Sequence, residues 1–426
     1  MLNSREIASV ILSEVYQGTT LDTSMSKNRN FLKLSNRDKS LVNLILMTTL
    51  RRHGEVNIII SNFIKKPFKK KDLVNHILQI SVAQLIFLDF PDYSVVNTAV
   101  EISKKYGSEK FVNAILRNIL RKKKDLLKKT NTITNIPSWL KDDLLKNFNN
   151  EKLKLIANRI VKEPFVDIKI KEEVLTKFNW QNILDGNYIL RDLIRLKNKK
   201  KIDDLPYYNE GLWWVQGIAS TFPVLIINKI FRNTNKSKIN ILDVGASPGG
   251  KTFQLVQAGY EVKSLEISSS RTQMLRDNCK RVNLTPTILN ENFLDFKENE
   301  TFDCILIDAP CSGSGIVQKK PEILIARKSL KGLILKQNLM LSHAKKFLKS
   351  GGYLIYSVCS ILSDEGENQV NNFLRENHNF STISPFEDLK IFTARKNSKY
   401  FLTTPDKYNS HGGIDGFFIA CLRKNH

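Results

Sequence analysis

The sequence predicts a multidomain chain: an all-α domain over residues 1–130, a small mixed α/β connecting subdomain over 131–210, and a Rossmann-like α/β domain over 211–426. Three observations carry this. Apolar residues recur at three- and four-residue spacing through the first part. Short apolar strands alternate with helical stretches through the last, as in a mostly parallel, doubly wound sheet. The glycine- and cysteine-bearing segments follow directly on strands of that sheet, where such folds place their ligands.

In the first domain, "DKSLVNLILMTTLRRHGEVNIII" and "KDLVNHILQISVAQLIFLD" carry the helical spacing, broken by "KKPFKK" and "DFPDYS". "SVVNTAVEISKKYG" stops at Gly107, and "EKFVNAILRNILRKKKDLLKK" follows with a strongly basic end. In the connector, "IPSWLKDDLLKNF" and "EKLKLIANRIVKE" read as helices, and "FVDIKI" and "YILRDLI" as short strands. The patch "KNKKK" at 197–201 suits either phosphate contact or a solvated loop. Beyond 211, "INILDVG", "EVKSLEI", "TPTIL", "FDCILIDAP", "GGYLIYSV" and "GFFIACL" are the expected strands.

Lys and Arg number 66 against 42 Asp and Glu, a formal charge of +24. That sign fits RNA, DNA or an anionic membrane surface, and equally a Lys- and Asn-rich composition with no partner at all. No apolar run approaches the ~18 residues of a bilayer crossing, and "MLNSREIASVILSEVY" reads as an amphipathic helix rather than a secretory signal. A cytoplasmic protein is expected. The five cysteines lie in the second half without a CxxC pair, so neither a bound metal nor a disulfide framework is expected.

"NILDVG" runs into "ASPGGKT". Gly245, Gly249 and Gly250 permit a tight turn and close backbone approach to a ligand, and the helix that follows offers free N–H groups. "GASPGGKT" also satisfies the G-x-x-x-x-G-K-[ST] pattern of triphosphate binding. Against that reading, Asp243 precedes the loop, Glu266 ends the next strand at a position suited to ribose hydroxyls, and only Asp308 offers itself for magnesium. An adenosyl cofactor fits better than a triphosphate or a nicotinamide. Asp243 and Glu266 could also be ordinary residues capping their strands.

Taken together, "NILDVGASPGGKT", "LIDAPCSGSG" and "LIYSVCSILSDEGENQV" resemble the bacterial rRNA cytosine-5 methyltransferases of the NOL1/NOP2/Sun family. The front segment "FPDYSVVNTAVEISKKYGSEKFVNAILRNILR" resembles the NusB-like RNA-binding domain of its Sun/Fmu branch. The resemblance covers nearly the whole chain. It implies S-adenosylmethionine lying across Gly245, Ala246, Ser247, Pro248, Gly249 and Gly250, with Asp243 and Lys251 nearby, Glu266 on the ribose, and Arg271 and Asn292 at the adenosyl pocket. Asp308 falls in both the cofactor and the catalytic set. The implied partner is 16S rRNA, free or in early small-subunit particles, with no DNA or membrane, and the chain acting as a monomer. The same chemistry on tRNA, or a non-catalytic RNA-binding factor, are the competing readings.

Three departures from the family stand out. Asn292 occupies a position usually held by Asp, with Asp295 three residues later; "VQKKPEI" has Lys319 and Lys320 where arginines are usual; and Val358 precedes Cys359 where Thr is usual. Lysine keeps the charge but lacks the planar fork of arginine.

Carbon 5 of cytosine is too weak a nucleophile to take a methyl group unaided, so a thiolate must first add to carbon 6. Cys311 and Cys359 each follow a strand end and are both able to do this. Cys279, Cys304 and Cys421 read as inert. Physics alone leaves the choice between the two open. The resemblance assigns attack to Cys359, release of the methylated RNA to Cys311, and a hydrogen bond to the base to Asp308.

Overall fold

The computed structural model describes residues 3–66, 68–69, 72–198, 200–297, 299–325, 329–395 and 398–425. It divides into two compact units, residues 1–163 with 317–328, and residues 164–316 with 329–426. Of the lysine patch at 197–201, position 199 lies outside the described residues.

The first unit is helical. Its helices include Ser4–Tyr16, Asn36–Arg51, His53–Ser61, Leu73–Phe87, Asp92–Lys104 and Glu109–Arg121. The helix Leu73–Phe87 is buried on all sides, from His76 to Ile86 without a break, and the others pack apolar residues around it: Ile7, Ile11, Leu12, Ile45 and Leu46 form one cluster, and Val56, Ile59, Leu78, Leu85, Val112 and Leu116 another. Asn3, Ser35 and Asp72 cap their helices by accepting from Glu6, Asp38 and Val74 backbone N–H groups.

The stretch around Arg51–Arg52 reads as one continuous helix in sequence but breaks at Arg52. Its second half is capped from far along the chain: the buried Asn135 Oδ1 accepts from the Gly54 and Glu55 N–H groups at 3.0 Å each. A Cβ on Gly54 would lie 1.9 Å from the Thr134 carbonyl oxygen, so only glycine permits this approach. Residues 131–163, which the sequence groups with the connector, thereby pack in the helical unit together with helices Ser138–Asn147 and Asn150–Ile160.

Residues 317–325 complete this unit. Arg51 Nε donates to the Gln318 carbonyl at 2.9 Å, Gln318 Nε2 donates to the Lys162 carbonyl at 3.0 Å, and Ile325 packs on the first cluster. Lys320 pairs with Asp22 at 3.5 Å. Burial lowers the Arg51 guanidinium to about 10, opposed by the charge of Glu163.

The second unit holds two sheets. A small antiparallel sheet has order β2-β3-β1-β4, from β1 (Asp167–Ile170), β2 (Gly186–Leu190), β3 (Leu193–Leu196) and β4 (Trp213–Val215). The large sheet contains β5 (Asn240–Val244), β6 (Glu261–Leu265), β7 (Thr287–Leu289), β8 (Phe302–Asp308), β9 (Leu348–Val358), β10 (Phe380–Ile383), β11 (Phe401–Thr403) and β12 (Phe417–Lys424). Its order is β10-β12-β9-β8-β5-β6-β7, with β11 paired to β12. Strands β5 to β9 run parallel, and β12 closes antiparallel against β9. From β5 the chain builds outward to β6 and β7, then returns to the other side as β8, so the topological switch point lies between β5 and β8.

Candidate active site

The turn after β5 sits at that switch point. Gly245 has φ +82°, and a Cβ there would meet the Asp308 carbonyl oxygen at 2.6 Å, so the glycine lets the β5 turn lie against the end of β8. Register aligns Val244 with Ile307 and Asp308 with Ser357, which brings the carboxyl ends of β5, β8 and β9 to one rim.

At this rim a cavity of about 190 Å³ is lined by Asp243, Gly245, Ala246, Ser247, Pro248, Gly250, Lys251 and Asp308. Val215, Gln216, Gly217 and Ser220 close its other side. These four lie in "GLWWVQGIAS", residues 211–220, which in sequence resembles the family's entry into the catalytic domain without naming a ligand-binding role. Lys251 Nζ donates to Asp308 Oδ2 at 2.7 Å. Burial alone would lower the Lys251 ammonium, but Asp308 beside it, with Asp243 and Cys359 nearby, outweighs burial and raises it.

Asp243 is wholly buried, and burial pushes its carboxyl up to about 6, against the hydrogen bond from Thr252 and the charge of Lys251. Thr252 Oγ1 donates to Oδ2 at 2.6 Å, while Oδ1 has no hydrogen-bond partner among the described residues.

Gly249, with φ +119°, packs on the Phe253 ring and does not line the cavity. Glu266, Arg271 and Asn292 also lie outside its lining. Glu266 is buried; it accepts from Ser268 N–H at 3.2 Å, and its Oε2 lies 3.3 Å from Arg271 Nε. Arg271 Nη2 reaches back to the Ser247 carbonyl, tying the helix Ser269–Arg281 to the glycine-rich turn. Asn292 is turned to its own segment, accepting from Leu294 N–H and donating to Asp295 Oδ2 at 2.7 Å.

Cys311 lies three residues past β8 and Cys359 one past β9, and their sulfurs are 3.3 Å apart. The two loops are laced together. Gly315 N–H donates to the Cys359 carbonyl at 3.0 Å, and Ser314 Oγ meets Ser360 Oγ at 2.9 Å. Cys279, Cys304 and Cys421 are buried, and burial raises all three thiols, Cys279 up to about 11. The arrangement therefore selects two sulfurs beside one ion-paired carboxylate.

A family model described as 16S rRNA methyltransferase RsmB/F matches residues 230–423, and one described as the NusB family matches residues 2–121. Residues 230–423 are thus an RsmB/F methyltransferase region, and residues 2–121 a NusB region. Similar relatives include the ribosomal RNA small subunit methyltransferase B of Shewanella oneidensis, 26% identical over 441 residues, with 99% of each chain covered. The probable methyltransferase B of Bacillus subtilis is 26% identical over 442 residues, covering 97% of this chain and 95% of the relative. The crystal structure of PH0851 shares the fold at TM-score 0.71 and 18% identity, covering 100% and 99% of the two chains. As an RsmB/F protein with an N-terminal NusB region, the chain is an S-adenosylmethionine-dependent rRNA methyltransferase. Among the described residues, no helix is long and apolar enough to cross a membrane.

Proposed function

We propose that this RsmB/F chain methylates carbon 5 of one cytosine in 16S rRNA through a covalent bond between Cys359 Sγ and carbon 6 of the base. The observation that carries the reading is the pair of sulfurs at 3.3 Å on the same rim as the Lys251–Asp308 pair.

The residues at the cavity fit S-adenosylmethionine. Asp243 Oδ1, buried without a partner, suits the ammonium of the methionine part, and Gly245 leaves room for a ligand against the backbone. Gly245, Ala246, Ser247, Pro248 and Gly250 would form its bed, and Glu266 would hold the ribose hydroxyls with Arg271 steadying the turn. When bound, the cofactor supplies an electrophilic methyl group.

Within the chain, Cys359 as thiolate adds to carbon 6, which makes carbon 5 electron-rich. Asp308, its charge shared with Lys251, hydrogen-bonds the base edge near ring nitrogen 3. After methylation, the carbon-5 proton leaves to solvent and the bond to Cys359 breaks, the electron pair returning to sulfur. A Cys311 thiol at 3.3 Å can donate a hydrogen bond to that departing sulfur, which is how it would assist release.

The base must be outside a helical stack to reach this rim. The +24 charge supplies phosphate contacts that position the RNA, and so a salt-sensitive affinity. The reading takes the chain as a monomer acting in the cytoplasm on free rRNA or early particles.

The test uses Cys359→Ala and Cys311→Ala with naked 16S rRNA, and with tRNA as a control. Cys359→Ala should abolish turnover and covalent capture. Cys311→Ala should accumulate methylated RNA bound through Cys359. Loss of the adduct in Cys311→Ala would reverse the two roles, and methylation of tRNA alone would replace the substrate.

A further inference from the structure

The residues that follow the two cysteines are both tied to one buried carboxylate. Glu365 is 0% exposed and stands six residues past Cys359, just ahead of the helix Glu367–Glu376. Its Oε1 accepts from the Ser312 N–H at 2.8 Å and from Gln337 Nε2 at 3.1 Å. Its Oε2 accepts from Ser312 Oγ at 2.5 Å and Ser360 Oγ at 2.6 Å. Ser312 adjoins Cys311, and Ser360 adjoins Cys359.

These contacts reach the strand ends on both sides of Glu365. Gln337 also donates to the Pro310 carbonyl at 2.9 Å, so the strand-end segment before Cys311 is held by the same group that holds Glu365. Tyr356 Oη donates to the Glu365 carbonyl at 2.7 Å, fixing the backbone that carries the carboxylate. Burying a carboxylate costs several kcal/mol unless donors surround it, and a neutral side chain would fill this volume without that cost. The methylation chemistry derived above gives Glu365 no role.

We propose that Glu365 is a positioning residue: it fastens the Cys311 and Cys359 loops in sulfur contact and holds the proton between the two sulfurs on Cys311. This rests on the assignment of attack to Cys359. The asymmetry is geometric. Glu365 takes two hydrogen bonds from Ser312 and one from Ser360, so its negative charge is bound mainly to the Cys311 side.

The groups facing the two sulfurs agree in sign. Cys311 touches Cys359 and feels the charge of Glu365, whereas Cys359 and the Lys251 ammonium act on each other through their charges. The hydrogen bond with Cys359, burial, and the charges of Cys359 and Glu365 hold the Cys311 thiol well above its ordinary range, opposed only by a backbone hydrogen bond at Gly313. A thiol so held donates to its neighbour and does not compete with it for the base.

The experiment alkylates the full chain, without RNA or cofactor, with iodoacetamide pulses from pH 6 to 10, and resolves the two cysteines by peptide mass spectrometry. In wild type, Cys359 should react at least about tenfold faster than Cys311 at pH 8. In Glu365→Gln, the Cys311 midpoint should fall by about one pH unit and the lag shrink to about threefold or less. Ser360→Ala keeps the charge but cuts a tie to the Cys359 loop; the midpoint should stay, and single-turnover capture of RNA should slow by about tenfold. Equal acceleration of both cysteines in Glu365→Gln, an unchanged ratio, or Cys311 reacting first in wild type would overturn the proposal. Should Glu365→Gln fail to fold, an unchanged capture rate in Ser360→Ala overturns it. Thiol reactivity needs no substrate, so its outcome is separate from the Cys359→Ala test of the methyltransferase reading.

Discussion

Replacing Asp243 by Asn should stabilise the protein at neutral pH while weakening cofactor binding. Burial raises this carboxyl from 3.8 to about 6 in the folded chain. Below pH 3.8 the acid is protonated both folded and unfolded, so it contributes nothing to pH dependence. Between 3.8 and 6 the unfolded chain releases a proton that the folded chain keeps, and stability falls as pH rises. Above 6 the folded state carries the full cost of a buried, half-partnered anion. A shift of about two units corresponds to about 3 kcal/mol. Asn mimics the protonated acid in shape and can still accept from Thr252, so Asp243→Asn should match wild type at pH 4 and exceed it by about 3 kcal/mol at pH 7. Urea unfolding followed by tryptophan fluorescence from pH 4 to 8 measures this; three of the four tryptophans, Trp180, Trp213 and Trp214, lie in the second unit. In parallel, wild-type affinity for S-adenosylhomocysteine should rise as pH passes through 6, and the Asn variant should be weaker and flat. A stability difference independent of pH would refute the reasoning, as would an Asn variant less stable than wild type at pH 7.

Lys251→Met removes the ammonium 2.7 Å from Asp308 and leaves that carboxylate without its ion pair; turnover, measured as methyl incorporation into 16S rRNA, should fall by at least about a hundredfold. Gly315→Ala would put a Cβ 1.9 Å from the Gly416 carbonyl oxygen, in the strip where Gly315 N–H binds the Cys359 carbonyl. It should cost about 2 kcal/mol or more in thermal unfolding and slow RNA capture out of proportion to that loss, because the strain falls on the Cys359 loop.

Six strands of the large sheet, β5 to β9 and β12, were legible because each contains a short apolar run bounded by turn residues; β10 and β11, of four and three residues, are too short to carry that pattern. The cysteine pair was legible because both residues follow such runs, and the 48 residues between them return the chain to the same rim. Three features were hidden for physical reasons. Val215, Gln216, Gly217 and Ser220 line the cavity, whereas their segment, "GLWWVQGIAS", reads in sequence only as the entry into the catalytic domain. Glu365 sits in an acidic, surface-like stretch, "SDEGEN", and its burial depends on donors from residues 312 and 337. Asn135 caps a helix 80 residues away, so no local pattern could tell that residues 131–163 belong with the first unit. Asn292 departs from the family, and its side chain accepts from Leu294 N–H and donates to Asp295 within its own segment.

The segment 317–325 has a consequence for how the protein is made. Val317 and Leu324 are buried in a unit whose other residues end at 163. About 150 residues of the second unit must be synthesised before this piece exists. At about 5–20 residues per second, the N-terminal helices wait roughly 8–30 s on the ribosome with the site for residues 317–325 unfilled. The usual order, in which an N-terminal domain finishes folding first, is therefore closed to this chain. A nascent chain halted near residue 200 should be cut by protease at Arg51, and one halted beyond residue 360 should resist.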